Sequence, residues 1–594
     1  MRRVTTLAPD RMRALTWARR LAVSDWVAGV SVVLTAALLI VISLLRISPV
    51  FFGDEIGYLA NSLALSGGPD LAISASSYYP GWSLVIAPLW WILHDPLHVY
   101  RAACLLSALS GILTIPVLTL LGRRLGVNGS VATIAACVVV ALPGHALMSG
   151  FALAESFLGL VVAGTVLLAV VAAQTGRPVW FAAFGAAAGY AFVTHGRVVA
   201  MVGAAVAWGV VLVVRRTPRA GIAAIASTVI VAGSGYLLYH HLEVTLYGSS
   251  AREGDGIAKL IGASPGATAL AGSGQLWFAV VSTCGLLLPG VVFIVRRIRH
   301  EWTERQAGWG SWLGLSVVGL AVVSVTYVSG SLTVHERLDV YVYGRYLEPL
   351  VDVVAFLGLV ALVRGVSRRV LVGIVVAFVA ITVGYGIAAA RWVPTSAHTV
   401  FGWNPMNVFG LAQYGWATPH HDEALPVVSA ACIVAVLLLA TFVLRRFLRD
   451  PTWMLALLVG FALVSTIVGQ ARTVDPVYRG YQRAFTLTNI VKELPGATIS
   501  FDTVPDVVTG RPSGVISRNA YQFFLAPRHV SVVDSGDGVP STELTIARKY
   551  WTPGVAAGWR KIADDNAFDN ALWVRPGALQ TRLAAEGRLL PIDG

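Results

Sequence analysis

The sequence predicts a polytopic α-helical membrane protein with about 13 transmembrane helices and a small C-terminal α/β domain outside the cytoplasm. Hydrophobic residues make up 56% of the 594 residues, only 13% are charged, and the mean hydropathy is +0.71. A water-soluble chain of this length could not bury that much apolar surface, because it must still cover itself with polar groups. Apolar stretches near the roughly 20 residues that cross a bilayer recur along most of the chain.

Thirteen apolar stretches are predicted to cross the membrane, and they define a transmembrane region over residues 26–470. This region lies between a basic N-terminal segment, 1–25, and the C-terminal domain, 471–594. The stretches at 179–194 and 198–214 are short, and a re-entrant pair there would change the count but not the orientation of later helices. The thirteen stretches are 26–46, 100–122, 128–145, 153–174, 179–194, 198–214, 221–239, 275–296, 311–329, 348–364, 369–390, 426–444 and 452–470.

Arginine clusters fall at every second end of these stretches, which is the positive-inside pattern. This alternation predicts a cytoplasmic N-terminus and an extracytoplasmic domain over 471–594. It also explains the net charge of +13 without a nucleic-acid partner. Only four of the 44 basic residues are lysines, which is typical of a high-GC bacterium, so the predicted location is a bacterial plasma membrane. The clusters lie within 2–20, 123–124, 215–219, 296–299, 364–369 and 445–449.

The C-terminal domain has the composition of an ordinary globular domain. Strand-like runs at 497–502, 529–534 and 570–574 alternate with helix-like segments at 481–494 and 517–525. This alternation predicts a small α/β fold with one open face.

Long loops occur only on the predicted outer side, so we expect any chemistry there. The loop 47–99 contains Asp54 and Glu55 near its start, and then a proline-bounded apolar stretch from Tyr79 to Leu93. That stretch is short for a span and rich in Trp, which predicts a helix lying along the membrane interface. The predicted cytoplasmic loops are short and basic.

Five charged residues near the outer face are candidates for catalysis and binding. Asp54 and Glu55 follow the first span, and Glu155 lies at the outer end of the fourth, where a carboxylate near lipid indicates a functional site. Arg197 and Arg345 lie on the same side, and arginine binds phosphate through two permanently charged contacts. Structural alternatives are a helix cap for Asp54, pairing with an arginine for Glu155, and interface anchoring for the arginines.

Four short motifs carry a resemblance to a known family. They are Tyr79-Pro-Gly-Trp82, the opening of the second span at Tyr100-Arg101, Ala154-Glu155-Ser156, and Tyr343-Gly-Arg-Tyr346. Together with the Asp-Glu pair after the first span, they resemble the GT-C superfamily of polyprenyl-phosphate-sugar-dependent glycosyltransferases. The sequence is most similar to the protein O-mannosyltransferase and aminoarabinose-transferase branch. The resemblance covers roughly residues 25–350, so the expected transmembrane fold is GT-C-like.

The resemblance implies an inverting transfer from a sugar on a polyprenyl phosphate to an acceptor hydroxyl of the cell envelope. Asp54 would be the general base, although Asp54 and Glu55 could exchange roles, and Glu55 or Glu155 would orient hydroxyl groups. Arg345 and Arg197 would bind the donor phosphate. Further residues expected to contact donor or acceptor are Tyr58, Tyr79, His195, Tyr343 and Tyr346.

The sequence also departs from the family pattern. Pro80-Gly81 replaces the usual proline pair, and the phosphate-binding lysines have no match. No metal is predicted, although the cluster His420-His421-Asp422-Glu423 could bind a divalent ion if it is not simply solvated.

Two other functions are compatible with a polytopic membrane protein. A transporter or flippase for lipid-linked intermediates would place charges at the bilayer midplane and show related halves, whereas the charges here lie near one face. A non-catalytic assembly subunit would not need the acids of the outer loop. The sequence does not identify the sugar, and the acceptor could be a glycan, a lipid or a protein.

Overall fold

The computed structural model describes most of the chain. The described residues are 9–49, 52–71, 77–247, 262, 264–304, 308–332, 338–393, 407–417, 427–448, 450–476, 486–503, 515–536, 538–565 and 569–591.

The chain is predominantly helical, and each predicted span overlaps a helix. The longer helices are Pro9–Leu44, Phe52–Leu65, Pro96–Arg124, Gly129–Ala141, Glu155–Thr175, Pro178–Thr194, Val199–Val214, Pro218–Leu242, Pro265–Ser282, Leu287–Thr303, Trp309–Ser331, Glu348–Arg364, Arg368–Trp392, Val427–Phe447, Thr452–Gly469 and Val515–Phe524. The shorter ones are Pro80–Ile86, Leu89–Ile92, Pro143–Met148, Thr486–Lys492, Thr552–Ala556 and Ala578–Ala585.

The multi-pass helical architecture is confirmed. Within the described ranges, nine helices are long and apolar enough to cross a bilayer, or up to ten if one bent pair forms a single span. That pair, Pro265–Ser282 and Leu287–Thr303, is bent by 103°. The prediction of one continuous helix over 275–296 is therefore wrong, because Cys284 and Gly285 adopt positive φ angles of 52° and 80° and break the helix between them.

Close helix packing explains the two glycines and the many alanines of helix Pro178–Thr194. Helix Pro178–Thr194 lies against helix Pro218–Leu242, and a Cβ atom on Gly185 would come within 2.3 Å of the Ala224 carbonyl oxygen. Small residues let helix backbones approach each other closely in a membrane, where lipid supplies no hydrophobic drive for association.

The loop 47–99, which is predicted to lie on the outer side, folds differently in two details from the prediction. The helix Phe52–Leu65 begins before Asp54, so Asp54 and Glu55 occupy its first turn and Asp54 does not precede it as a cap. The predicted interfacial helix is two short helices, Pro80–Ile86 and Leu89–Ile92. Trp82 is fully buried and donates a hydrogen bond to the Ala152 carbonyl at 3.2 Å, so this part of the stretch packs into the protein.

The C-terminal domain is built on a five-stranded mixed sheet with the order β2-β1-β3-β5-β4. Strands β1 and β2 are parallel, as are β1 and β3, whereas β5 is antiparallel to both β3 and β4. The sequence predicted β1, β2 and β5 but missed β3 and β4. The strands are β1 Ile499–Asp502, β2 Val530–Val533, β3 Leu544–Arg548, β4 Arg560–Asp565 and β5 Asn570–Val574.

The sheet domain packs against the loop 47–99. The Phe523 ring lies edge-on to Trp90 with centroids 5.9 Å apart, and Phe524 belongs to the same buried cluster. Lys492 Nζ also lies 3.3 Å from Asp95 Oδ2. The helices Pro80–Ile86 and Leu89–Ile92 therefore connect the sheet domain with the loop that carries Asp54.

Candidate active site

Arg345 lies at the centre of a buried charge network. Its Nε atom is 2.7 Å from Glu155 Oε1, and its Nη1 atom is 2.6 Å from Asp54 Oδ2. The side chain of Arg345 is 7% exposed and that of Glu155 is 4% exposed. The guanidinium thus joins two carboxylates that come from distant parts of the chain.

Local structure explains how these three groups meet. Glu155 is the first residue of helix Glu155–Thr175, and Asp54 lies in the first turn of helix Phe52–Leu65, positions at which the helix dipole favours an acid. Arg345 follows Gly344, where an added Cβ would come within 1.8 Å of the Phe278 ring. Only glycine allows the backbone to approach that ring so closely and bring Arg345 to the acids.

Arg197 is a second buried arginine beside Glu155. Its Nη1 atom lies 3.7 Å from Glu155 Oε1, beyond hydrogen-bonding distance, and its side chain is 5% exposed. The guanidinium carbon lies 5.3 Å from the centre of the Tyr346 ring. Its three nitrogen atoms have no hydrogen-bond partner among the described residues. A buried guanidinium in this state is available to an anion.

Asp54 and Glu55 have contrasting environments. Asp54 is 29% exposed, and its Oδ1 atom accepts a hydrogen bond of 2.7 Å from the Tyr78 hydroxyl. Glu55 is fully buried, and its Oε1 atom accepts a hydrogen bond of 2.9 Å from the Ala152 amide. Of the two acids, Asp54 is the one that solvent and an incoming hydroxyl can reach.

Aromatic side chains surround the network. Tyr343 and Tyr346 have ring centroids 4.8 Å apart, and the His195 ring lies 6.3 Å from Tyr346. His195 Nδ1 also accepts a hydrogen bond from the Arg197 amide at 3.3 Å, which fixes the turn that carries Arg197. These contacts bring three of the sequence-predicted contact residues to the two arginines.

The other two predicted contact residues are Tyr58 and Tyr79. Tyr58 packs beside Tyr78, which binds Asp54, and Tyr79 lies beside the turn that carries Arg197. The Tyr58 ring lies 5.0 Å from Tyr78, and burial raises the pKa of Tyr58 above its ordinary value, so its hydroxyl stays protonated. Tyr79 stacks on Tyr239 with centroids 4.3 Å apart and lies beside Gly196.

A buried cluster behind Glu155 was not predicted from the sequence. His145 Nδ1 lies 3.0 Å from Asp352 Oδ2, and both line a small cavity together with Glu155, Ser156 and Glu348. His145 Nε2, Glu155 Oε2, Ser156 Oγ and Glu348 Oε1 have no hydrogen-bond partner among the described residues. The sequence contained one indication of this cluster, namely acidic residues in or beside predicted spans. Burying a carboxylate in the membrane is costly, so such residues indicate a function.

An apolar cavity of about 170 Å³ lies within the helix bundle. It is formed by helices Pro265–Ser282, Leu287–Thr303, Trp309–Ser331 and Glu348–Arg364. Leu347, two residues after Arg345, lies on its wall, and Gly272, Ala321 and Val351 line it as well. The cavity therefore lies among four helices of the bundle, with Leu347 as the lining residue nearest in sequence to Arg345.

The cluster at 420–423 lies outside the described residues. Among the residues that are described, no group of three or more His, Cys, Asp or Glu side chains is arranged to hold a metal ion.

This chain is similar to known proteins in sequence and in fold. A family model described as dolichyl-phosphate-mannose-protein mannosyltransferase matches residues 88–247. Crystal structures of ArnT from Cupriavidus metallidurans, apo and bound to undecaprenyl phosphate, align at 17% identity with a TM-score of 0.53 and cover 93% of this chain and 98% of ArnT. The comparison with curated protein sequences gives no match.

A third structure is less similar. The arabinosyltransferase EmbB from Mycobacterium smegmatis aligns at 16% identity over 84% of this chain and 44% of EmbB, with a TM-score of 0.41 that does not establish a common fold. The alignment with ArnT does establish one over nearly the whole chain, and the family match runs from Pro88 to Tyr247. The chain is therefore similar to this mannosyltransferase family over residues 88–247, and it shares the fold of ArnT over nearly its whole length.

Proposed function

We propose that this protein is an inverting glycosyltransferase that moves a sugar from a polyprenyl-phosphate donor to a hydroxyl group of an envelope acceptor on the outer face of the membrane. The observation that carries the proposal is the pair of buried arginines. Arg345 is neutralised by Asp54 and Glu155, whereas Arg197 offers three nitrogen atoms that no described residue accepts from. A phosphate placed beside Arg197 would satisfy them.

The donor is inferred from the surroundings of these arginines. Arginine forms paired, permanently charged contacts with phosphate oxygens, and the ArnT structure of the same fold holds undecaprenyl phosphate. The apolar cavity that Leu347 helps to line offers a place for isoprene units of such a lipid. A donor with a phosphate and a long apolar chain would occupy both features.

The reaction follows from the placement of charge. Asp54 takes the proton of the acceptor hydroxyl as that oxygen attacks the anomeric carbon from the side opposite the phosphate. The new glycosidic C–O bond forms while the bond from the anomeric carbon to the phosphate oxygen breaks, so the configuration inverts. The bonding electrons leave with the polyprenyl phosphate, and Arg197 and Arg345 stabilise its developing charge.

The roles of the acids follow from their exposure. Asp54 faces solvent and its carboxylate is oriented by Tyr78 and Arg345, which suits a base. Glu55 is buried and binds a backbone amide, which suits a structural role. Glu155 Oε1 accepts a hydrogen bond from Arg345, so we assign Glu155 to orienting Arg345.

The test is transfer by the purified full-length protein. The protein is incubated with radiolabelled polyprenyl-phosphate sugars and an envelope extract, and wild type is compared with Asp54→Asn. Asparagine keeps the size of the side chain and removes the base, so we expect a loss of transfer of about 100- to 10,000-fold with retained binding of undecaprenyl phosphate. The matched control is Asp70→Asn, an exposed acid of the same outer loop.

Three outcomes would count against the proposal. Full activity of Asp54→Asn would exclude Asp54 as the base. Equal losses in Asp54→Asn and Asp70→Asn would point to a general effect on the loop. Movement of the labelled lipid between leaflets without formation of a glycosylated product would favour the transporter.

A further inference from the structure

A second charged site lies at the opposite end of the helix Glu348–Arg364. A cavity of about 370 Å³ lies between the last turns of that helix and of Leu287–Thr303. Arg296, Arg297, His300 and Arg364 line it. A helix of 17 residues is about 25 Å long, so this cavity is separated from the candidate active site by nearly the thickness of the hydrocarbon core.

Only some of the basic side chains of this cavity have partners among the described residues. Arg297 Nε lies 2.9 Å from Glu301 Oε1, and Arg364 Nη1 donates to the Leu125 carbonyl at 3.2 Å. Arg296 and His300 make no side-chain hydrogen bond or ion pair with the residues that the structure describes. They are four residues apart on one helix face, so both side chains can reach the same anion.

The rest of the lining is apolar. Val292, Phe293, Ala361 and Val366 form the remaining wall. A cavity that joins guanidinium groups to aliphatic and aromatic side chains at a helix end matches a ligand with a charged phosphate and a hydrocarbon chain. A soluble phosphate would use only the charged half.

We propose that this cavity binds the phosphate headgroup of an anionic membrane phospholipid. The site is distinct from the donor site at Arg197 and Arg345, and it lies at the end of the bundle that the arginine pattern predicts to face the cytoplasm. Anionic lipids are attracted to clustered basic residues at such a boundary, and basic pockets between membrane helices bind their headgroups.

Native mass spectrometry of the delipidated full-length protein tests the proposal. The protein in neutral detergent is titrated with phosphatidylglycerol, phosphatidylcholine or inorganic phosphate, and retained ligand is counted. We expect saturable retention of phosphatidylglycerol over phosphatidylcholine, weakened roughly fivefold in Arg296→Gln and about 25-fold in Arg296→Gln/Arg364→Gln. The matched control, Arg299→Gln, removes an exposed arginine of the same helix that does not line the cavity and should bind like wild type.

The alternatives have distinct outcomes. Equal weakening by Arg299→Gln, or equal retention of the two lipids, would overturn the site. Displacement of phosphatidylglycerol by inorganic phosphate at millimolar concentration would assign the cavity to a soluble anion and overturn the lipid assignment. Arg296→Lys keeps the charge but not the planar fork, so binding intermediate between wild type and Arg296→Gln supports direct phosphate contact. Binding by Arg296→Lys as weak as that by Arg296→Gln would contradict a charge-based site.

Discussion

Arginine is buried near one end of the helix Glu348–Arg364 and exposed at the other end. Arg345, three residues before the helix, is 7% exposed and contacts Asp54 and Glu155 at 2.6 and 2.7 Å. Arg364, the last residue of the helix, is exposed and contacts only a backbone carbonyl oxygen among the described residues. The same residue type therefore forms a desolvated ionic network at one end and a solvated basic surface at the other.

This difference in burial determines whether an arginine needs ionic partners. A buried guanidinium is tolerated only with partners, because taking it out of water costs several kcal/mol that ionic contacts must offset. An exposed guanidinium needs no partner, and its contribution to stability is small. The buried guanidinium of Arg345 is therefore held in a fixed position beside the reacting groups, whereas the exposed guanidinium of Arg364 is free to attract anions.

The largest effect is expected from Arg345→Gln. This substitution removes the guanidinium that contacts both Asp54 and Glu155, so we expect transfer to fall at least about 100-fold. The free energy of unfolding should also fall by about 3–5 kcal/mol. Thermal unfolding in detergent and transfer assays measure the two effects. Arg345→Lys should restore stability more than activity, and a glutamine variant with wild-type activity would contradict a central role for the network.

Arg197→Gln should weaken binding of the donor phosphate while leaving the stability of the fold almost unchanged. Its guanidinium has no hydrogen-bond partner among the described residues, so replacing it should change the unfolding temperature little. Binding of undecaprenyl phosphate should weaken about 10- to 100-fold, because a charge-assisted contact is lost. Equilibrium binding in detergent micelles measures this effect. Arg391→Gln, at the end of helix Arg368–Trp392 predicted to face the same side, is the control; equal weakening there would indicate a diffuse charge effect.

A smaller effect is expected from filling the apolar cavity between the two ends. Ala321→Trp would occupy space that we assign to the donor chain, so the KM for a long-chain donor should rise about two- to fivefold, because the displaced chain can still lie in lipid. A short-chain donor should be affected less. Val318→Trp, on the outward face of the same helix, is the control, and equal effects for both variants would remove the cavity from the donor site.

The smallest effect is expected at the exposed ion pair between Lys492 and Asp95. Both side chains are over a third exposed, so Lys492→Gln should lower the free energy of unfolding by less than about 1 kcal/mol. Asp95→Ala should cost more, because Asp95 also caps helix Pro96–Arg124 through the Leu97 and His98 amides. A loss as large as that of Arg345→Gln would contradict the distinction between buried and exposed pairs.

The ion pair between Lys492 and Asp95 also makes the free energy of unfolding depend on pH. Partial burial would raise the pKa of Asp95, but Lys492 and the two amides outweigh it and hold the pKa below its usual value. A lowered folded-state pKa means that Asp95 stabilises the fold above the unfolded-state pKa. This contribution is lost as the pH falls through the lowered folded-state pKa, and Asp95→Ala should flatten that part of a stability profile.

Much of the helical region could be predicted because its signal is local in the chain. Each of the thirteen predicted spans overlaps a helix, since runs of apolar residues and flanking arginines are both visible in a one-dimensional pattern. The bend at Cys284 and Gly285 was missed, because a break within an apolar run leaves the hydropathy unchanged. Strands β3 and β4 were missed because they carry charged ends and gain their order from sheet pairing.

The sequence by itself determined the class of protein, the approximate spans, and the residue types that the membrane makes costly, because the price of burying charge in lipid depends on residue type and local context. Only the tertiary structure decided that Arg345 bridges Asp54 and Glu155, that Glu55 points away to Ala152, and that His145 and Asp352 meet behind the network. These contacts join residues from about 100 to about 290 positions apart, and such pairing depends on how helices pack in three dimensions.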